Sequence, residues 1–259
     1  MTPVLASDGA RLALHRRGQG LPVMFQHGLC GDHRQTFEAF PDLPGWALGT
    51  LECRGHGASE AAGRFSIARF AGDLADVAPA GAVLGGISMG AAIALRLAVR
   101  HPGRWRALVL VRPAWGVEAA PPNMAPNAVV GQLLADGAGR DDWLATAKAA
   151  RLAVESPDNL ASLTGFFDRA PRDVTAALLC AISADGPGVS RADLAALRLP
   201  VLVAGCGQDA VHPLALARDL AAAIPGAQMV ELPPKGTDKP AHIAALHGAI
   251  TDFLKGLTP

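Results

Sequence analysis

Short apolar runs that alternate with longer stretches of helical spacing constrain the fold of this chain more than any other feature. Six runs have the length and composition of buried strands: Pro22–Gln26, Trp46–Leu51, Ala82–Gly85, Ala107–Val111, Val201–Ala204 and Ala227–Leu232. Strands joined by helices run parallel within one sheet, because each helix carries the chain back across a face of that sheet. The alternation predicts an α/β fold: a mostly parallel, twisted sheet flanked by helices.

One segment, residues 113–198, is too long to be a single crossover between two strands. It is rich in alanine and leucine and is interrupted by the turn sequences PPNMAPN, SPDN and DGPG. Clusters of proline and glycine of this kind separate short helices. We expect a helical cap over the sheet here, and hence a first core part at 1–112, the cap at 113–198 and a second core part at 199–259.

The charge balance argues against several kinds of partner. Lysine plus arginine and aspartate plus glutamate number 23 each, and neither sign is concentrated in a block, so no nucleic-acid partner is expected. No apolar run approaches membrane-spanning length, and the first residues lack the apolar core of a secretory peptide. Four widely spaced cysteines favour a reducing compartment. We expect a cytoplasmic protein without a membrane partner, and whether it forms a homo-oligomer stays open.

The sequence GISMG, residues 86–90, has the form Gly-x-Ser-x-Gly and stands where a short strand gives way to a helix. A serine in so tight a turn needs small neighbours, and its hydroxyl projects from the sheet. The free N–H groups at the start of a helix can stabilise an oxyanion, and Met89 would supply one of them. Ser88 is therefore the candidate nucleophile. The alternative, from this motif alone, is a serine that only caps the helix.

Two further strands end in loops that contain histidine and glycine, in the sequences VMFQHGLCGD and GTLECRGHGAS. The N–H of Leu29 in the first loop could supply a second oxyanion donor. Together with GISMG, these loops resemble the α/β-hydrolase superfamily, whose members carry a His-Gly oxyanion loop, an Asp-x-Arg-Gly-x-Gly-x-Ser loop, a nucleophile turn and a helical cap. The resemblance covers nearly the whole chain. Glu52 stands where the family usually has aspartate, which keeps the carboxylate.

The resemblance also implies an acid after the penultimate strand and a histidine after the last. Asp209, in GCGQDAVHP, fits the acid. No histidine occupies the usual place after the last strand, where the chain reads KGT. The histidine nearest to that place is His242 at the start of the terminal helix, since His247 lies further along the helix and His212 belongs to the acid loop. We predict that His242 accepts the proton of Ser88 and that Asp209 orients it. The alternative is that His242 is a surface histidine.

Several other residues lie at the predicted carboxyl edge of the sheet, where ligands bind in such folds. Four of them could form a polar, partly cationic wall for a substrate that carries a carboxylate or several hydroxyls: His33, Arg34, Arg112 and Trp115. The alternative is that the arginines are solvated or paired. His27 and His56 lie in the glycine loops and are interpreted as hydrogen-bonding braces, not as bases.

One stretch imitates a nucleotide-binding motif. The sequence VAGCGQDA, with Glu231 downstream, has the spacing of a dinucleotide fingerprint. Its location argues against that function, because such a fold begins with this unit, whereas here the chain ends one helix later and Asp209 would face the pyrophosphate. The histidines and cysteines show no metal-ligand spacing. We expect no cofactor and no metal.

These motifs predict a serine hydrolase that cleaves a small ester or lactone through an acyl-enzyme on Ser88. Hydrolysis of a carbon–carbon bond and perhydrolysis are alternatives on the same scaffold. Halide displacement is disfavoured, because members of this fold that carry it out have aspartate at the position of Ser88. An alternative of another class is a catalytically silent receptor for a small ligand, in which His242 never reaches Ser88. In each case the expected partner is a small molecule.

Overall fold

An eight-stranded sheet forms the centre of the protein, whose computed structural model describes residues 1–257. Its strands are β1 (Thr2–Leu5), β2 (Arg11–Gly18), β3 (Leu21–Gln26), β4 (Trp46–Leu51), β5 (Val83–Ile87), β6 (Ala107–Val111), β7 (Val201–Cys206) and β8 (Gln228–Leu232). They lie in the order β1-β2-β4-β3-β5-β6-β7-β8, with β2 antiparallel to both of its neighbours and all other pairs parallel. The predicted α/β fold is confirmed.

Eleven α-helices lie within the described residues: α1 (His33–Ala39), α2 (Ile67–Val77), α3 (Met89–Arg100), α4 (Ala125–Ala135), α5 (Arg140–Leu144), α6 (Ala147–Glu155), α7 (Pro157–Gly165), α8 (Arg172–Ser183), α9 (Arg191–Ala196), α10 (Leu214–Ala223) and α11 (Lys239–Lys255). Two short 3-10 helices, Pro122–Met124 and Phe166–Asp168, lie among them. Over residues 1–257, no helix combines the length and the apolar character that a membrane span requires.

Both faces of the sheet are buried, which explains why its central strands are continuous apolar runs. Successive residues of a strand point to opposite faces. In β6, Leu108 and Leu110 join the core formed with α2 and α3, whereas Val109 joins the core formed with α1 and α11. Helices on both sides therefore hold the carboxyl ends of the parallel strands in fixed positions.

Strand β5 extends further than the sequence predicts. The sequence predicts that it ends at Gly85, but Gly86 and Ile87 still pair with Leu110 and Val111 of β6. The strand therefore continues to the residue before Ser88, which begins the turn into α3.

Residues 113–198 contain the helices α4 to α9 and the two 3-10 helices, and no strand. We call this part the inserted helices. Helices α4 and α8 pack closely where Gly131 faces α8, since a Cβ there would lie 2.8 Å from the Sγ of Cys180. Trp143 is fully buried among these helices. The predicted helical content of the segment is confirmed, and its standing as a separate domain stays a prediction.

Candidate active site

Ser88 occupies a strained turn between β5 and α3. Its φ of 55° and ψ of −113° place it in a conformation that residues with a side chain rarely adopt. The turn closes tightly, since a Cβ on Gly86 would lie 2.4 Å from the backbone of Gly90, and one on Gly90 would lie 2.3 Å from the carbonyl oxygen of Gln26. The two glycines of GISMG are therefore required by the close approach of three backbone segments.

Ser88 opens onto a cavity of about 500 Å³, which we call the Ser88 cavity. Within residues 1–257 its hydroxyl makes no hydrogen bond, and it does not cap α3. Core residues on the cavity wall include Gly28, Leu29, Arg112, His212 and Lys235, and the inserted helices add Asn127, Asn159, Phe166 and Arg169. A free hydroxyl facing a cavity of this size is available to a small ligand.

Two backbone N–H groups near Ser88 lack an acceptor in the part of the chain that the structure describes. One belongs to Met89, the first residue of α3, and the other to Leu29 on the cavity wall. The loop that carries Leu29 is held by its neighbours, since Gly28 N–H donates to Gln35 Oε1 at 2.6 Å. Both groups could donate to an oxyanion formed on Ser88, and this role stays a prediction.

His27 and His56 brace the loops around the cavity. The Nε2 of His56 accepts from the N–H of Cys30 at 3.0 Å, and the Nε2 of His27 accepts from the N–H of Cys53 at 3.0 Å. Their Nδ1 atoms lie 3.0 and 2.8 Å from the carbonyl oxygens of Arg54 and Gly28, to which they can donate. Burial lowers the pKa of both rings and keeps them neutral. The prediction that they act as braces is confirmed.

Glu52 also joins two loops beside the cavity. Its buried carboxylate accepts from the N–H of Ala58 at 2.7 Å and from the N–H and Nδ1 of His33 at 3.2 and 2.7 Å. Burial alone would raise the pKa of Glu52, but these hydrogen bonds lower it. A longer side chain than aspartate reaches both loops because Gly57 leaves room, since a Cβ there would overlap the carboxyl group.

Asp209 lies in the loop after β7 and is surrounded by donors. Arg112, after β6, places its Nε and Nη2 at 2.7 and 2.6 Å from Oδ2. The Nδ1 of His212 lies 2.9 Å from Oδ1 and 3.0 Å from Oδ2, and the N–H of His212 donates to Oδ1 at 3.0 Å. Burial alone would raise the pKa of Asp209, but His212 and Arg112 hold it far below its ordinary value. Asp209 is ionised.

His242 lies near the start of α11 and is 2% exposed. Its Nδ1–H donates to the carbonyl oxygen of Pro233 at 2.8 Å. Among the described residues it has no hydrogen bond to Asp209 or Ser88, and it is not on the wall of the Ser88 cavity. It is a buried histidine, not the surface histidine of the alternative interpretation. Its role as the base stays a prediction.

Lys235 stands after β8, where the resemblance places a histidine. It lies on the cavity wall, and its Nζ pairs with Asp158 of α7 at 2.9 Å. Two more contacts join the start of α7 to the acid loop: Ser156 Oγ accepts from the N–H of Ala210 at 3.1 Å, and Asn159 Oδ1 accepts from the N–H of Val211 at 3.0 Å. The start of α7 is thus attached to the loop that carries Asp209.

Of the four residues predicted to bind substrate, Arg112 lies on the cavity wall, and the other three do not. Its guanidinium is paired with Asp209, and that of Arg34 is paired with Asp32 at 2.7 Å in solvent. The Nδ1 of His33 bonds Glu52, and Trp115 is buried with its Nε1–H donated to the carbonyl oxygen of Asp185 at 2.9 Å. Arg34 and Arg112 are therefore both paired, as the alternative interpretation expects.

Sequence reasoning missed two residues of this site, His212 and Arg169. His212 was interpreted only as part of the acid loop, although its spacing of three residues from Asp209 lets both side chains meet across one turn. Arg169, in the inserted helices, lies on the cavity wall, and its Nη2 donates to the carbonyl oxygen of Gly55 at 2.6 Å. The first had a signal in the sequence, and the second had none.

One group of side chains in the described range could offer ligand atoms to a metal: His15, His33 and Glu52, whose atoms lie within 4.8 Å of one another. The two imidazole rings stack with centroids 3.8 Å apart and planes 5° from parallel. Parallel rings direct their lone pairs side by side instead of toward a common point. His33 bonds Glu52 and His15 stacks on His33, while the Nε2 of His15 lies 3.4 Å from Glu52 without a hydrogen bond, so the group fits a stack beside Glu52 better than a metal centre.

Comparison with known proteins agrees with this geometry. The model of the family described as alpha/beta hydrolase fold matches residues 22–237. The chain therefore belongs to the alpha/beta-hydrolase family of enzymes, and the resemblance seen in its motifs is confirmed.

Relatives with assigned activities include two pimeloyl-[acyl-carrier protein] methyl ester esterases. The protein from Neisseria meningitidis serogroup C is 28% identical over 244 residues, which cover 91% of this chain and 94% of the relative. The protein from Chromobacterium violaceum is 30% identical over 227 residues, which cover 83% and 87%. The similarity thus extends over most of both chains.

Solved structures share the whole architecture. An esterase from Thermogutta terrifontis with malate bound has a TM-score of 0.75 at 23% identity, with 100% of both chains covered. The enol-lactonase from Burkholderia xenovorans LB400 has a TM-score of 0.70 at 24% identity, with 98% of this chain and 100% of that chain covered. At these identities the likeness establishes the fold.

Proposed function

We propose that the protein is a serine hydrolase that cleaves a small ester or lactone through an acyl-enzyme on Ser88. One observation carries the proposal: a serine hydroxyl free of hydrogen bonds stands on a strained turn and faces a cavity. The esterase and enol-lactonase names of the relatives and neighbours support an ester or lactone as the substrate class.

The reaction begins when Ser88 Oγ attacks the carbonyl carbon and its proton passes to a histidine. The oxyanion of the tetrahedral intermediate accepts hydrogen bonds from the N–H groups of Leu29 and Met89, each of which contributes about 3 kcal/mol. The alcohol departs with the proton, and water then releases the acid from Ser88 by the same steps. For the histidine, the sequence predicts His242.

The cavity favours a substrate that carries a negative charge. Arg169 lies on its wall, and its guanidinium donates to Thr175 Oγ1 at 2.8 Å and to the carbonyl oxygen of Gly55. Among residues 1–257 it has no carboxylate within salt-bridge distance, unlike Arg112 and Lys235. A guanidinium with no anion of its own binds a carboxylate well. We therefore propose an ester or lactone with a carboxylate or a similar anionic group.

Labelling with a fluorophosphonate tests the proposal. The wild type should react, and peptide mass analysis should place the label on Ser88. Ser88→Ala should neither label nor hydrolyse p-nitrophenyl esters and simple lactones, whereas Ser162→Ala, which removes another serine of the cavity wall, should still label on Ser88. A wild type that neither labels nor hydrolyses any of these compounds would refute the proposal and favour a ligand receptor.

A further inference from the structure

A histidine in the acid loop has no role in the proposed reaction as the sequence predicts it. His212 lies on the wall of the Ser88 cavity, and no other histidine of the described residues does. Its side chain is 11% exposed, so that the ring is nearly enclosed but reaches the cavity. A general base must reach the hydroxyl that it deprotonates, and among the described histidines His212 is the one that shares a cavity with Ser88.

Hydrogen bonding decides which nitrogen of His212 carries the proton. Three charged atoms face its Nδ1: the two carboxylate oxygens of Asp209 at 2.9 and 3.0 Å and the Nη2 of Arg112 at 3.2 Å. Two anionic oxygens at shorter distance favour a proton on Nδ1, which donates to Asp209. The Nε2, on the opposite side of the ring, then keeps its lone pair and can accept a proton.

The histidine predicted from the sequence has different surroundings. The Nδ1–H of His242 donates to the neutral carbonyl of Pro233, and within residues 1–257 no carboxylate contacts the ring. Asp209 acts on this ring through its charge but makes no hydrogen bond to it, so that it neither orients the ring nor contacts the imidazolium that forms when a base accepts a proton. His212 is in direct contact with Asp209.

The loop after β8 supplies no replacement. The wall position there belongs to Lys235, whose ammonium is paired with Asp158 and has no lone pair to accept a proton. The loop after β7 therefore brings both an acid and a histidine to the cavity, whereas the loop after β8 brings a cation.

We propose that His212, and not His242, is the general base and acid of Ser88, with Asp209 as its orienting partner; this inference rests on the proposed function. Ser88 Oγ bonds to the carbonyl carbon while its proton moves to His212 Nε2. The bond to the leaving oxygen then breaks, and that oxygen takes the proton from Nε2. Water then adds to the acyl carbon and gives a proton to Nε2. The bond between the acyl carbon and Ser88 Oγ breaks, and Oγ takes that proton from Nε2. The ring ends as it began.

Arg112 completes the unit as a positioning residue. Its Nε and Nη2 both bind Oδ2 of Asp209, so that Oδ1 is shared by the ring and the backbone N–H of His212. Burial lowers the pKa of His212 against the attraction of Asp209, and the cations Arg112 and Lys235 act in the same direction as burial. The ring is therefore neutral at pH 7 and competent as a base.

The test compares three histidines in one assay. His212→Gln keeps a side-chain N–H for Asp209 but removes the base, and it should lower kcat/KM for p-nitrophenyl esters and the rate of fluorophosphonate labelling by about 100-fold to 10,000-fold. His242→Gln should lower the same two rates less than 10-fold. His247→Gln is the control, because His247 lies on α11 with His242 and its Nε2 contacts the carbonyl oxygen of Glu38 in a solvent-exposed position. Thermal unfolding verifies that each variant is folded.

A second variant separates a chemical role from a structural one. Added imidazole should restore labelling to His212→Ala, since it can take the place of the missing ring, and should not accelerate His242→Ala. The proposal is overturned if His212→Gln labels at the wild-type rate, or if imidazole restores His242→Ala instead. It is also overturned if both variants lose activity and imidazole restores neither. An unlabelled Ser88 in the wild type refutes the proposed function itself, and this inference with it.

Discussion

Residues around Ser88 owe their chemistry to how their charges are paired. Asp209 is ionised because Arg112 and His212 face it, and Arg112 stays beside the cavity because Asp209 binds it. Arg169 differs from both, since its partners are a hydroxyl and a carbonyl oxygen. Two arginines on one wall therefore differ in their partners: Arg112 is neutralised by Asp209, and Arg169 has no carboxylate partner among the described residues.

Removal of Arg112 should destabilise the protein. Arg112→Gln leaves the buried carboxylate of Asp209 without the arginine that binds it through two nitrogens, which costs about 3 kcal/mol of unfolding free energy at pH 7. Urea unfolding measures the loss. Arg34→Gln is the matched control, because it breaks an exposed pair with Asp32, and its midpoint of unfolding should equal that of the wild type. Equal effects of the two variants would contradict this view of Asp209.

Removal of Arg169 should change substrate preference. Arg169→Gln keeps an amide that can donate to Gly55 but loses the charge, so KM for an ester with a carboxylate should rise at least 10-fold, as expected for the loss of a charge-assisted hydrogen bond. KM for a neutral ester of the same size should stay within a factor of about two, since a neutral substrate makes no such bond. Steady-state kinetics with the two substrates tests this, and a parallel rise in both values would show that Arg169 only supports the loop.

At the scale of elements, the turn from β5 to α3 shows where sequence reasoning succeeds. Its two glycines, its serine and its place after a strand were all visible, because close backbone approach leaves glycine as the single option. Six of the eight strands are predicted as well, and for β5, β6 and β7 the reason is similar, since burial on both faces demands continuous apolar runs. His212 and Arg169 were not identified, because their roles depend on which loops meet in space, and no local pattern encodes that.

The turn also allows a test with two glycines in helices. Gly90→Ala should lower the free energy of unfolding by about 2 kcal/mol or more and abolish labelling, because its Cβ would overlap the Gln26 carbonyl. Gly72→Ala, in the middle of α2 with no atom near the new Cβ, should raise stability by about 0.5–1 kcal/mol. Chemical denaturation measures both, and a tolerated Gly90→Ala would refute the close packing described for this turn.

For the whole molecule, buried histidines dominate the response to acid. Burial lowers the pKa of His27, His56 and His212 below the ordinary value near 6.5, so the unfolded chain takes up protons at a pH where the folded chain does not. Stability should therefore be full above about pH 6.5 and fall as the pH drops below it. Urea unfolding at constant ionic strength between pH 8 and pH 5 measures this, and a flat profile would contradict it.

Carboxylates should add a second decline at lower pH. Hydrogen bonds and ion pairs lower the pKa of Glu52 and Asp209 in the folded state, so both stabilise the protein above their unfolded values near 4. That contribution is lost as the pH falls from there toward their folded values. The same titration extended to pH 3 should steepen below about pH 4.5, and Arg112→Gln should reduce the steepening because the pKa of Asp209 is then less depressed.

The attachment of α7 to the acid loop has a consequence for activity. Lys235, Ala210 and Val211 of the core are all bound by residues at the start of this helix. Displacement of α7 from the core would break these contacts, and the loop that carries Asp209 and His212 would lose two of the hydrogen bonds that hold it. On the proposed function, displacement of this helix would therefore lower activity as well as enlarge the opening of the Ser88 cavity.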